Sequence, residues 1–221
     1  MITLQTIEFL RDIAQNNNRE WFQENKDIYQ KTYDQFKEFV GNLRIAMNEY
    51  DEIERSKVYR FYRDLRFTKD KTPYKTHYAA HLTRNGKYRR GGFYFQISAQ
   101  EAMVAGGFWK PNRDDLLYIR QGIMGDADLL REALKQPDII DRFGTLQGDE
   151  LITAPRGFDR EHPDIDLLRK KQFLLIRTYP AKAALDDDFH QKVAQDFQAM
   201  IPVFDVITDY LIYDGNGVER E

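Results

Sequence analysis

Apolar residues near the start of the chain recur at helical spacing. Ile7, Leu10, Ile13 and Ala14 share one face, which predicts a short first helix, and Asn16, Asn17 and Asn18 supply both its stop and the N-cap of the next. After Arg19, Glu20, Trp21 and Phe22 comes a stripe of Tyr29, Tyr33, Phe36, Val40, Leu43 and Met47, advancing by alternate steps of four and three. That is one apolar face of a long helix, and it assigns these aromatics to packing.

The helical period then stops. Residues 57–63 are rich in β-branched and aromatic types and read as a strand. Residues 63–75 have no clear period, and Pro73 pushes Thr72 away from helical geometry, so an ordered loop is expected there. Residues 77–84 and 87–98 flank Asn85-Gly86, the dipeptide that favours a two-residue hairpin turn. Phe93, Phe95 and Ile97 alternate with Tyr94, Gln96 and Ser98, as in a strand with one buried face. Residues 103–107 continue the meander.

Helical spacing returns after Phe108-Trp109-Lys110-Pro111. Asn112 with Asp115 resembles a capping arrangement ahead of Leu116, Ile119 and Ile123, and Asp126 precedes a second helix carrying Leu129, Leu130, Ala133 and Leu134. Residues 138–163 are rich in glycine and proline and read as loop with room for short strands. Asp164 starts one more turn of helix, and Phe173-Leu174-Leu175-Ile176 reads as a buried strand. A final helix bears Leu185, Phe189, Val193, Phe197, Met200, Phe204, Ile207 and Leu211, with Pro202 inside it predicting a kink. The pattern defines an α+β fold in which an antiparallel β-meander, with its hairpin at Asn85-Gly86, packs against long N- and C-terminal helices. With no repeat and no low-complexity linker, 1–221 is expected to form a single domain. Its parts are N-terminal helices over 4–50, the meander over 56–108, helices and loops over 112–171, a strand over 172–179 and the C-terminal helix over 186–213.

Composition agrees with a folded core: 42% of the 221 residues are hydrophobic and 14% aromatic. The absence of cysteine removes disulfides and thiolate chemistry and fits a reducing compartment, the cytoplasm. Residues 1–5 show no basic stretch leading into an apolar one, and the apolar run at 173–176 is too short for a bilayer, so neither a signal peptide nor a membrane span is expected. Net charge is −3, but residues 55–90 hold twelve basic and two acidic residues, a local +10 against −13 elsewhere. So dense a patch focuses field on an anionic ligand.

Several strings resemble the family known as the domain of unknown function numbered 2461. They are Phe9-Leu10, residues 16–22, residues 59–75, Gly106-Gly107-Phe108-Trp109-Lys110-Pro111 and residues 119–123. The resemblance covers nearly the whole chain, and its most specific string coincides with the charged loop. It implies membership and no reaction.

Three chemistries compete for the basic segment. In the first, an anionic small molecule carrying phosphate or carboxylate is held by Arg60, Arg63, Arg66, Lys69, Lys71 and Lys75, with Tyr74 donating or stacking and Arg120 reaching in from its helix. Asp64, Asp70 and Lys71 are then the catalytic candidates, set against a reading in which the two aspartates merely pair with neighbouring cations to fix the loop. In the second, nucleic acid lies on the basic residues with Tyr59, Phe61, Tyr62, Phe67 and Tyr74 stacking bases; the acidic remainder of the chain weighs against it. In the third, His77 and His81 hold a metal, but on a strand they stand roughly 13 Å apart, far beyond the ~2.0–2.1 Å of a zinc–imidazole bond. His162 and His190 fit packing or capping. With Ser56 and Ser98 outside any nucleophile elbow and no phosphate-binding glycine loop, the sequence calls for no cofactor and no metal.

Overall fold

The computed structural model describes residues 1–220 and is an α+β fold. A five-stranded antiparallel sheet runs in the order β1-β2-β3-β4-β5, flanked by N- and C-terminal helices. Its strands are β1 (Ile53–Val58), β2 (His77–Arg84), β3 (Gly92–Ser98), β4 (Glu101–Phe108) and β5 (Phe173–Pro180). Two compact units share the chain. The first comprises Met1–Thr83, Tyr94–Val104 and Thr178–Gln195; the second comprises Arg84–Phe93, Ala105–Arg177 and the chain from Asp196 on.

The first unit begins with α1 (Leu4–Gln15), α2 (Arg19–Glu24) and α3 (Lys26–Met47). The Asn18 side chain accepts a hydrogen bond from the Trp21 N–H at 2.9 Å and so opens α2, as the asparagine run predicted. The long helix expected from the Tyr29–Met47 stripe is α3, and the short α2 precedes it. Asn25 donates its side-chain amide to the Trp21 carbonyl at 2.9 Å, closing α2 before α3 starts. Phe36 of α3 packs on Tyr78 of β2 and on Phe95 of β3, with ring centroids 5.5 and 6.2 Å apart. Phe189, at the start of α8 (Phe189–Ile212), closes on Phe39 and Phe95 from the same unit. Leu185, placed by periodicity in this last helix, instead ends a short 3₁₀ turn, Ala181–Leu185.

In the second unit, Phe197 and Phe204 of α8 cover Phe93 at centroid distances of 4.8 and 5.3 Å. Pro202 lies inside the helix. Asn112 caps α4 (Arg113–Gly125), accepting from the N–H groups of Asp114 and Asp115. Helices α5 (Asp128–Leu134), α6 (Pro137–Phe143) and α7 (Ile165–Leu168) follow. The stretch read as loop over 138–163 therefore contains part of α6, and its short pairings are the bridges Gln147 to Leu174 and Glu150 to Lys170. Gly107 shows why β4 carries glycine. Its φ is +133°, and a side chain there would strike the Phe173 carbonyl oxygen of β5.

Two strand expectations are corrected. The strand placed over 57–63 is β1 at Ile53–Val58, because past Tyr59, whose N–H donates to the Ala79 carbonyl, the chain leaves β2 and pairs with residues 73–75 instead. Strands β2 and β3 do pair in succession about Asn85-Gly86, but seven residues, not two, separate them. Gly86 turns the chain with φ +84°. The buried Arg84 then donates to the Arg90 carbonyl and pairs with Asp205 at 2.7 Å, while the Arg90 N–H donates to Thr208. These bonds tie the connection to α8 within the second unit. The basic residues of this turn are accordingly paired: Lys87 with Glu219, and Arg90 with Asp115 at 2.9 Å.

Candidate functional site

The charged loop lies in the first unit and is closed at its neck. Tyr62 and Tyr74 form an antiparallel bridge, the Arg63 N–H donates to the Pro73 carbonyl, and the Lys75 N–H donates to the Phe61 carbonyl, both at 2.9 Å. Asn17 clamps the outer strand of this neck. Its side chain donates to the Tyr74 carbonyl at 2.9 Å and accepts from the Tyr74 N–H at 3.1 Å, supplying both bonds that a neighbouring strand would make.

Tyr74 and Phe61 turn inward at this neck. They are 4% and 1% exposed, Tyr74 stacks on Phe22 at 4.0 Å, and Phe61 lies between Tyr29 and Tyr78 at 5.2 and 5.3 Å. Both are core, which removes them from any stacking surface. Of the other proposed stacking residues, Tyr62 and Phe67 are exposed, Phe67 to 94%.

Beyond the neck the loop is cross-braced by its own charges. Arg63 reaches across to Asp70, to the Thr72 hydroxyl and to the Thr72 carbonyl. Asp70 also accepts from the Thr72 N–H and hydroxyl; these bonds and Arg63 hold its carboxyl down at about 2. Asp64 accepts from Arg66 through Nε at 3.0 Å and Nη2 at 2.6 Å and from the Arg66 N–H, and Arg66 holds it below the usual carboxylate range. Lys71 donates to the Leu65 carbonyl at 2.9 Å. Both aspartates are counter-ions to the arginines they meet. Lys69 is exposed.

These contacts shape an open recess of about 460 Å³ lined by Arg60, Arg63, Asp64, Leu65 and Arg66. Two guanidinium groups, those of Arg66 and Arg60, face the Asp64 carboxylate, while Arg63 is turned to Asp70 and Thr72. Arg60 is the least committed, 4.0 Å from Asp64 with its side chain 70% exposed. Lys75 lies outside the recess, its ammonium 5.3 Å from the centre of the Tyr59 ring. Arg120 belongs to the second unit, where it donates to the carbonyls of Leu168 at 2.8 Å and Lys170 at 3.1 Å and so ties α4 to the end of α7.

The histidines fall where alternation along β2 puts them, half-buried on the sheet face away from Phe36. Among the described residues no group of three or more His, Asp or Glu side chains gathers around a possible ion. His162 accepts the Asp164 N–H on Nδ1 at 3.1 Å, the local capping expected of it. Burial, with Lys75 beside it, pushes His77 down to about 4, and burial with Arg55 and Lys57 lowers His81. The unfolded chain binds at the ordinary His pKa of 6.5 a proton that folded His77 refuses. Its contribution is therefore complete above pH 6.5 and is lost as pH falls from 6.5 to about 4. A His77→Gln variant should flatten the fall of the thermal midpoint across that window; equal slopes in variant and wild type would contradict this.

Fold and site together define an α+β protein with a cross-braced cationic loop. The chain belongs to the conserved hypothetical protein family DUF2461, whose model matches residues 5–205. No curated protein matches it. Among the described residues no helix is long and apolar enough to cross a membrane.

Proposed function

We propose that the protein binds a small phosphate- or carboxylate-bearing molecule in the recess between Arg60, Arg63 and Arg66. The observation that carries this reading is the Arg66–Asp64 fork. A guanidinium engaging a carboxylate through Nε and Nη2 has the geometry with which arginine grips phosphate and carboxylate ligands. Asp64 thus occupies the position an anionic ligand would take. Because the pair is exposed and water screens it, an incoming anion displaces it at small cost. Arg60 then supplies a second cation from 4.0 Å away. Arg63, latched to Asp70 and Thr72, acts as the rigid wall.

Calorimetric titration with sulfate and with a phosphate monoester tests this. Saturable binding with a Kd of about 1 mM is expected, corresponding to ~4 kcal/mol and weakening as sodium chloride rises. Heats of dilution alone, at low salt and high protein concentration, would refute it and leave the loop a structural brace.

A further inference from the structure

The second unit holds a cavity of about 460 Å³ bordered by Lys110, Arg120, Asp149, Lys171 and Gln172. One wall is the paired stretch 147–151 and 170–174. Around the Glu150–Lys170 bridge the Lys171 N–H donates to the Asp149 carbonyl and the Leu151 N–H to the Arg169 carbonyl, both at 2.8 Å. Glu150 and Lys170 form an ion pair at 3.1 Å on one face. Alternation sends Asp149, Leu151 and Lys171 to the other, where the cavity lies. Between this bridge and that of Gln147 with Leu174, two residues face three. The extra residue makes a bulge and brings Gln172 round to the same cavity. Gly148, at φ +116°, lets the strands close here, since a side chain on it would strike Gln172.

Gln172 is the buried member of the set, 5% exposed. Its Oε1 accepts from the Asp149 N–H at 3.2 Å, which fixes the amide so that Nε2 is the free end. Among the described residues Nε2 meets no acceptor, and no fully buried side-chain nitrogen or oxygen lacks a partner, so this amide opens into the cavity it borders. Arg120 is half-buried and held by the carbonyls of Leu168 and Lys170 through Nε and Nη2, which leaves Nη1 uncommitted. Lys110 reaches the rim from a left-handed backbone: at φ +52° it is the one non-glycine residue with positive φ among the described residues. Pro111, Leu116 and Leu151, all half-buried, supply an apolar wall.

The hydrogen bond from Asp149 to Gln172 keeps the Asp149 carboxylate beside the Gln172 amide, an acceptor next to a donor. That pairing matches a ligand whose own carboxylate and ammonium share one carbon. We propose that the cavity binds a small zwitterion of the α-amino-acid type with an apolar side chain. Gln172 Nε2 and Arg120 take its carboxylate, with Lys110 and Lys171 adding positive charge at the rim. Asp149 takes its ammonium, and Pro111, Leu116 and Leu151 take its side chain. The site shares no residue with the loop recess and does not depend on it.

The test is an NMR titration of the full chain with L-leucine, following the Gln172 side-chain amide signals. Isocaproate, which lacks the ammonium, and isoamylamine, which lacks the carboxylate, are titrated alongside. Leucine should shift the signals saturably and bind about tenfold or more tighter than either. Asp149→Asn alters an exposed side chain, so it should keep the wild-type unfolding temperature, lose about tenfold in leucine affinity and leave isocaproate no weaker. Gln172→Glu replaces the donor by an acceptor and should abolish binding of both carboxylates. The Arg60→Ala, Arg66→Ala protein should bind leucine as wild type does, which keeps failure at the loop separate. Gln172 signals unmoved up to the solubility limit of leucine would overturn the site. Equal affinity for leucine and isocaproate, or undiminished leucine affinity in Asp149→Asn, would overturn the zwitterion as its ligand.

Discussion

An Arg60→Ala, Arg66→Ala double variant is expected to lose saturable sulfate binding at the loop while unfolding at the wild-type temperature. Each guanidinium offers charge-assisted hydrogen bonds to an anion, so removing both should weaken affinity about a hundredfold or more. A further effect adds to this. Without Arg66 the Asp64 carboxylate loses its strongest partner and repels the incoming anion. Stability should change little, because both side chains are largely exposed, at 70% and 76%, and water screens such pairs. Sulfate affinity within threefold of wild type in the folded double variant would refute the recess as the binding position.

Replacing Tyr74 by alanine should cost about 3–5 kcal/mol in denaturant unfolding, the range for truncating a large buried aromatic. Its ring stacks on Phe22 and lies 6.0 Å from Phe61 and 5.4 Å from Tyr62, so the truncation opens a hole beneath the loop neck. Tyr74→Phe separates packing from hydroxyl chemistry. It should retain both stability and sulfate affinity, whereas loss of sulfate affinity in a stable Tyr74→Phe protein would restore the hydroxyl as a ligand contact. A cost below about 1 kcal/mol for Tyr74→Ala would show that the neck is not part of the core.

The difference between Tyr74 and Phe93 shows what the sequence displays and what it hides. Phe93, Phe95 and Ile97 alternate with polar residues over a single strand, so their burial follows from neighbours two positions away. Tyr74 sits in a run of lysines and threonines, and its burial depends on Asn17, 57 residues earlier. No local pattern carries that information. The same holds for the charges. Composition exposed a local excess of cations, but whether Arg63 faces a ligand or Asp70 is decided by the closed neck that brings them together. Arg120, for which the sequence left open reaching the loop or covering apolar surface, donates to the carbonyls of Leu168 and Lys170, about fifty residues later in the chain. On the sheet, alternation alone places His77 and His81 on the face of β2 away from Phe36.

The recess is tested most directly by an anomalous difference map from crystals soaked in selenate, an isostere of sulfate. A peak within hydrogen-bonding distance of Arg60 and Arg66, with the Asp64 carboxylate turned away from Arg66, is the expected result. An intact Arg66–Asp64 fork with no peak in the recess at saturating selenate would contradict it.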